Sequence, residues 1–136
     1  MADESPEGGG AELADDPTIS DDCKLYRRIP DRYVERRDGV VVGVHSQAFN
    51  DSSDGSGMSV WIEQTMIELG LSPSDALDGF EDTWLAVLTA GAVRLHGCIV
   101  IRTPTVEEPA HGEVCGNFTG KRRKKLRDAA AWEIER

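Results

Sequence analysis

The sequence predicts an α+β fold: a small mixed or antiparallel sheet with two or three helices, behind a disordered acidic N-terminal tail. Three observations lead there. Short apolar runs bounded by Gly, Pro, Asp and Asn recur along residues 23–136, as strands do. Helical signals, including a proline-led start at Ser72-Pro73, fall between those runs. Ahead of residue 23 the composition changes abruptly.

That leading segment, residues 1–22, holds Asp3, Glu4, Glu7, Glu12, Asp15, Asp16, Asp21 and Asp22, the run Gly8-Gly9-Gly10, and no Lys or Arg. Its few apolar groups cannot offset the entropy of ordering it, so disorder is expected over 1–22 and a single domain over 23–136. Removing those eight acids from the 25 in the chain leaves 17 against 15 bases. The net charge of −10 is therefore largely the tail's, and a nearly neutral domain is free to meet an anionic partner.

Within the domain, Leu25, Arg27 and Ile29 alternate with Tyr26 and Arg28, and Pro30, which lacks an N–H, ends that strand or sets it at an edge. Asp38-Gly39 predicts a two-residue hairpin turn joining Tyr33–Arg37 to Val40–Val44. Residues 45–57 form a long polar loop, a kind that often carries function. Met58, Trp61, Ile62, Thr65, Met66 and Leu69 follow helical spacing and Gly70 suits its end; a strand over Met58–Ile62 is the alternative. Ser72-Pro73-Ser74-Asp75 starts a short helix to Asp78.

Trp84–Leu88 is an apolar run open to either strand or helix. The β-branched residues of Cys98–Arg102 predict a buried strand, with Val93–His96 part of it or its hairpin partner. Thr103–Pro109 is a loop. From Thr119 to Arg136 a final helix is expected, with Leu126, Ala129, Ala130 and Ile134 on one face. That order implies helices on one side of the sheet.

No apolar stretch approaches the roughly 18 residues of a membrane span, and the acidic N-terminus is unlike a signal peptide. Cys23, Cys98 and Cys115 are an odd number at low density, as expected in a reducing, cytoplasmic setting. Arg exceeds Lys, and Ala, Gly, Asp and Val abound, a composition associated with GC-rich bacterial or phage genomes.

The most informative feature is Lys121-Arg122-Arg123-Lys124-Lys125-Leu126-Arg127. A helix N-terminus is already partly positive, so each cation there is disfavoured by about 0.3–1 kcal/mol. Stability alone selects acids at that end. Gly120, Lys121, Arg122, Arg123, Lys124, Lys125 and Arg127, following the loop Gly116-Asn117-Phe118-Thr119, therefore form the expected anion-binding set. A solvated charge run, or one neutralised by the acidic tail or by the acids of 51–82, is the bland alternative. Nucleic acid, or another phosphate-bearing ligand, is the expected partner, and the segment lacks aromatics for single-strand stacking.

Other motifs fall short. Gly116-x-x-x-Gly120-Lys121-Arg122 is one residue too short for a P-loop and has Arg122 in place of the magnesium-holding Ser or Thr. His96-x-Cys98 and His111-x-x-x-Cys115 offer zinc-type ligands at a spacing no common module uses, so no metal or cofactor is assigned. His111-x-Glu113 lacks the Pro-Cys-x-x-Cys of zinc deaminases. In Asn50-x-Ser52-x-Asp54-Gly55, Trp61 stands where a calcium loop needs Glu.

The leading expectation is thus a non-enzymatic accessory protein that binds nucleic acid. One alternative is a small enzyme, of hydrolase or ADP-ribose-transfer type, drawing on Arg27 (or Arg28), His45, Ser46, His96, His111 and Glu113. The other is a protein–protein module that uses the acidic surface against a basic partner.

Overall fold

The computed structural model of the protein describes residues 14–52, 55 and 57–136. Its centre is β1 (Lys24–Pro30), whose residues alternate between two apolar layers: Leu25 and Ile29 face one, Tyr26 the other. The hairpin β2 (Val34–Arg37) and β3 (Val40–Val44) follows. Its turn is the one expected, with Asp38 and Gly39 both at positive φ (53° and 78°), a backbone twist that suits a tight hairpin.

The chain continues through β4 (Met58–Ile62), α1 (Glu63–Glu68), a 3₁₀ turn (Pro73–Leu77) and β5 (Thr83–Thr89). Then come α2 (Ala90–Leu95), β6 (Ile99–Arg102), β7 (His111–Cys115), α3 (Gly120–Ala129) and β8 (Ala131–Ile134). Six strands form one antiparallel sheet in the order β6-β7-β4-β1-β5-β8, and β2–β3 is a separate ribbon. The fold is α+β with an antiparallel sheet. Among the described residues no helix is long and apolar enough to cross a membrane.

Four segments differ from the sequence expectation, each for a physical reason. Residues 58–62 are strand, because Met58, Val60 and Ile62 bury on one face and Trp61 on the other. Only from Glu63 does the helix begin, so the helical spacing came from a strand running into a helix. Val93–His96 is not strand: the Thr89 side chain accepts from the Ala92 N–H and caps α2, which buries Ala90 and Val93 and closes before Gly97 (φ 85°). The C-terminal helix stops at Ala129, and 131–134 turn back as β8 along the open edge of β5. Helices cover both sides of the sheet: α2 and α3 bring Val93 and Leu126 to one layer, while α1 and the 3₁₀ turn bring Met66, Ala76 and Leu77 to the other.

The fourth difference is the acidic segment. Residues 1–13 of the expected tail lie outside the described residues. Residues 14–22, however, are fastened to the domain. Ile19 is buried in the main core at 1% exposure. Arg94 binds Asp15 and Asp21 (3.1 and 2.7 Å), and Arg102 binds Asp16 (3.1 Å). The Asp16 N–H also donates to the Val100 carbonyl on the edge strand β6 at 2.9 Å. Sequence composition missed this because a single isoleucine among acids is enough once a pocket and two arginines await it.

Two outcomes follow from this clamp. Ile19→Ala should lower the unfolding free energy by about 2–5 kcal/mol in chemical denaturation, the range for emptying a buried isoleucine site; a loss under about 0.5 kcal/mol would mean Ile19 is not core. The clamp should also yield to acid. Hydrogen bonds from Thr18, with Arg102 adding, hold the Asp16 carboxyl below its ordinary 3.8. A folded-state value below the unfolded one stabilises fully above about pH 4 and is lost as pH falls through the folded value. Hydrogen-exchange protection of the Ile19 amide, which donates to Asp16 O, should therefore drop on acidification below about pH 4. Protection that persists until global unfolding would contradict it.

Candidate functional site

Two regions carry the chemistry, and the first is α3. Leu126 anchors the helix in the core, which fixes its rotation. Arg122 and Arg123 lie on the half-buried side, while Lys121, Lys124 and Lys125 are exposed on the outer face at i, i+3 and i+4. Among the described residues, none of these lysines makes an ion pair. Asp128, one turn beyond Lys124, instead accepts from Arg127 at 3.0 Å.

The arginines resolve part of the electrostatic conflict at the helix start. Arg122 Nη1 donates to the Asn117 carbonyl at 3.1 Å, and Arg123 Nη1 to the Phe118 carbonyl at 2.6 Å. Both fold back over the loop, where carbonyl oxygens offset the dipole's positive end. Thr119 caps the helix by accepting the Arg122 N–H, and its carbonyl accepts the Arg123 N–H. The cap thus occupies one of the first N–H groups of the helix, that of Arg122. Gly116 is packed rather than open, since a methyl added there would lie 3.1 Å from Cys98 Sγ. The expected site thus divides: the lysines present free charge outward, the arginines brace the loop, and Arg127 lines a cavity of about 350 Å³ with Glu35 and Trp132.

The second region was not visible as a site in the sequence. β1 pairs with β5 at seven positions, from Lys24–Thr89 to Pro30–Thr83, but with β4 only at Leu25–Ile62 and Tyr26–Trp61. Beyond Tyr26 those two strands part. The half-buried Arg27 guanidinium bridges the gap, Nη1 donating to the Ser59 carbonyl of β4 (2.9 Å) and Nε to the Ala48 carbonyl (3.0 Å). Desolvation lowers its pKa to about 10. Among the described residues no carboxylate pairs with it.

Arg28, on the opposite face, donates Nε to the Ala76 carbonyl (2.6 Å) and pairs with Glu108 (3.0 Å). Its guanidinium lies 4.1 Å from the Phe80 ring centroid and 5.2 Å from that of Trp61. Where the strands part, a cavity of about 80 Å³ opens between Tyr26, Arg27, Arg28, Ser59, Trp61 and His111. A wider cleft of about 390 Å³ shares Arg27 and Arg28 with it and adds Arg32, Gln47, Asn50 and Phe80.

No protein-family model, no curated protein and no solved structure matches this chain.

Of the six residues expected for an enzyme, Arg27 and His111 line one cavity. The His111 Nδ1 is engaged by Thr103, 2.7 Å from its hydroxyl and 3.1 Å from its carbonyl. His45 serves the backbone: its Nδ1 accepts the Gln47 N–H at 3.1 Å and caps the 3₁₀ turn Ser46–Ala48 that Ser46 begins. His96 closes α2 through its own N–H to the Ala92 carbonyl. Glu113 sits two residues from His111 on β7, between Ser59 and Ile101, and among the described residues no histidine hydrogen-bonds to it or to Ser46. Nor do the described residues contain a group of three or more His, Cys, Asp or Glu that could hold a metal ion.

Tyr26 and Trp61 were not among the site residues expected from the sequence. The available signal was chemical, since a tryptophan in an apolar run still carries an N–H that needs a partner.

Arg27 should prove structural as well as electrostatic. Arg27→Met removes the donors to Ala48 and Ser59, and leaving such carbonyls unpaired costs about 1–3 kcal/mol. Denaturant titration should register that loss. An unchanged midpoint would mean the parted strands need no bridge.

Proposed function

We propose that the protein is a small binding protein whose partner is a polyanion, nucleic acid first, engaged by the outer face of α3. One observation supports this: Lys121, Lys124 and Lys125 stand together, exposed, with no described carboxylate paired to them. Elsewhere in the domain Arg28, Arg36, Arg94, Arg102 and Arg127 each pair with a carboxylate. Asp15, Asp16 and Asp21 are bound to Arg94 and Arg102, so that part of the acidic segment is already committed. Self-neutralisation by those three acids is thereby set aside.

Three lysines at helical spacing suit phosphates better than bases. Lys offers a point charge on a flexible stem, and phosphate contacts position a protein without reading sequence. Partner choice by charge alone also fits a segment without aromatics to stack on bases. Cys23 and Cys98 are buried thiols outside any disulfide, which supports a reducing, cytoplasmic setting, and the composition supports a bacterial or phage source.

The test is a binding titration against duplex and single-stranded oligonucleotides at two salt concentrations, comparing the natural chain with Lys121→Glu/Lys124→Glu/Lys125→Glu. Each phosphate contact to a duplex contributes about −0.9 to the slope of log K against log salt, so the natural chain should show a slope steeper by about 3. Equal binding by both proteins, or binding by neither, ends this reading.

A further inference from the structure

We propose that the crevice where β1 and β4 part is a binding site for a small organic oxyanion, whose carboxylate or phosphate group enters between Trp61 and Arg27. It is independent of the α3 surface and rests on different residues.

The decisive observation is an orphaned donor. Trp61 is 9% exposed, and its Nε1 is buried with no acceptor among the described residues. Buried donors in native structures are nearly always paired, and an unpaired one costs about 1–3 kcal/mol. Trp84 shows the ordinary outcome in the same molecule: its Nε1 donates to Asp31 at 3.0 Å. Trp61 lines the 80 Å³ cavity beside Arg27, Arg28 and His111, and of these lining groups it is the indole N–H that has no acceptor among the described residues.

Arg27 supplies the charge. Of its five N–H donors, two are used by the carbonyls of Ala48 and Ser59. The rest, on a guanidinium with no carboxylate partner among the described residues, can serve an incoming oxyanion. Arg28 is already offset by Glu108, so it contributes shape and partial charge, held against Phe80 and Trp61.

Size limits the entering group. At about 30 Å³ per water, 80 Å³ admits two or three waters, or one carboxylate or phosphate group, and excludes a nucleobase. The wider cleft of about 390 Å³ shares Arg27 and Arg28 with it and has room for the body of a small metabolite. Arg32, Gln47 and Asn50 there offer further polar contacts, and the Asp51 carboxylate, also in that lining, disfavours a second anionic group on the body of the ligand.

The experiment follows the three tryptophan indole N–H resonances by NMR at constant ionic strength, with acetate, succinate and inorganic phosphate titrated separately. Saturable movement of the Trp61 resonance with at least one of these, while that of Trp84 stays put, is the expected result; which probe acts separates carboxylate from phosphate chemistry. Trp61→Phe keeps an aromatic ring and loses the donor; its binding, read by calorimetry because the Trp61 resonance is gone, should be about tenfold weaker. Arg27→Lys keeps the charge, loses the planar fork, and should also weaken it, giving a second measure if Trp61→Phe disturbs the fold. If none of the probes moves the Trp61 resonance, the cavity holds water only and the proposal falls. It falls equally if both variants bind as tightly as the natural chain. The Lys121/Lys124/Lys125 triple variant should retain this binding whatever becomes of its affinity for oligonucleotides.

Discussion

The parting of β1 from β4 is the constraint around which the rest of the structure is arranged. A central strand in a sheet normally satisfies both of its edges with backbone partners. Here β1 does so along its whole length toward β5, but toward β4 only at Leu25 and Tyr26. A guanidinium takes over where the ladder stops, and it does so at the cost of holding a charge in poorly solvated surroundings. That arrangement creates the crevice, sets Trp61 and His111 beside it, and ties the 3₁₀ turn at Ala48 to the sheet. The 3₁₀ turn packs in turn against α3. The bridging arginine and the lysine-bearing helix thus both contact the same 3₁₀ turn.

Charge is sorted in space as it is in sequence, with a different boundary. The acids at 15, 16 and 21 are drawn onto α2 and the edge strand β6 by Arg94 and Arg102. Cations at the start of α3 divide their work: two arginines turn inward to loop carbonyls, and three lysines face water. A planar fork can satisfy a carbonyl while keeping its other donors available, and a compact, strongly hydrated ammonium is better left in solvent. Arginine inside and lysine outside is what that difference favours.

Sheet irregularity explains why the C-terminus misled a reading by periodicity. Trp132 faces the main core beside Trp84, with ring centroids 4.9 Å apart, yet Ile134 packs into the opposite layer. Residues two apart on a regular strand share a face. The bulge in the pairing, where Leu85 meets Ile134 and Ala86 meets Trp132, inserts an extra residue and turns the second side chain over. No pattern in a linear sequence announces such a turn, and the Ala129, Ala130 and Ile134 spacing imitates a helix face.

Local chemistry was enough to determine the α+β class, the Asp38-Gly39 hairpin, the Ser72-Pro73 start and the basic start of α3, because turns, caps and helix dipoles act over only a few residues. Five residues, Met58–Ile62, were ambiguous for the same reason: so short an apolar run suits strand or helix equally until its neighbours are known. Tertiary structure alone decided that Arg27 bridges two strands, that Trp61 lacks an acceptor, that His111 belongs to Thr103, and that Ile19 draws an acidic segment into the core. Each of these joins residues far apart in the chain, and whether a charged or polar group is satisfied depends on what folding brings to it.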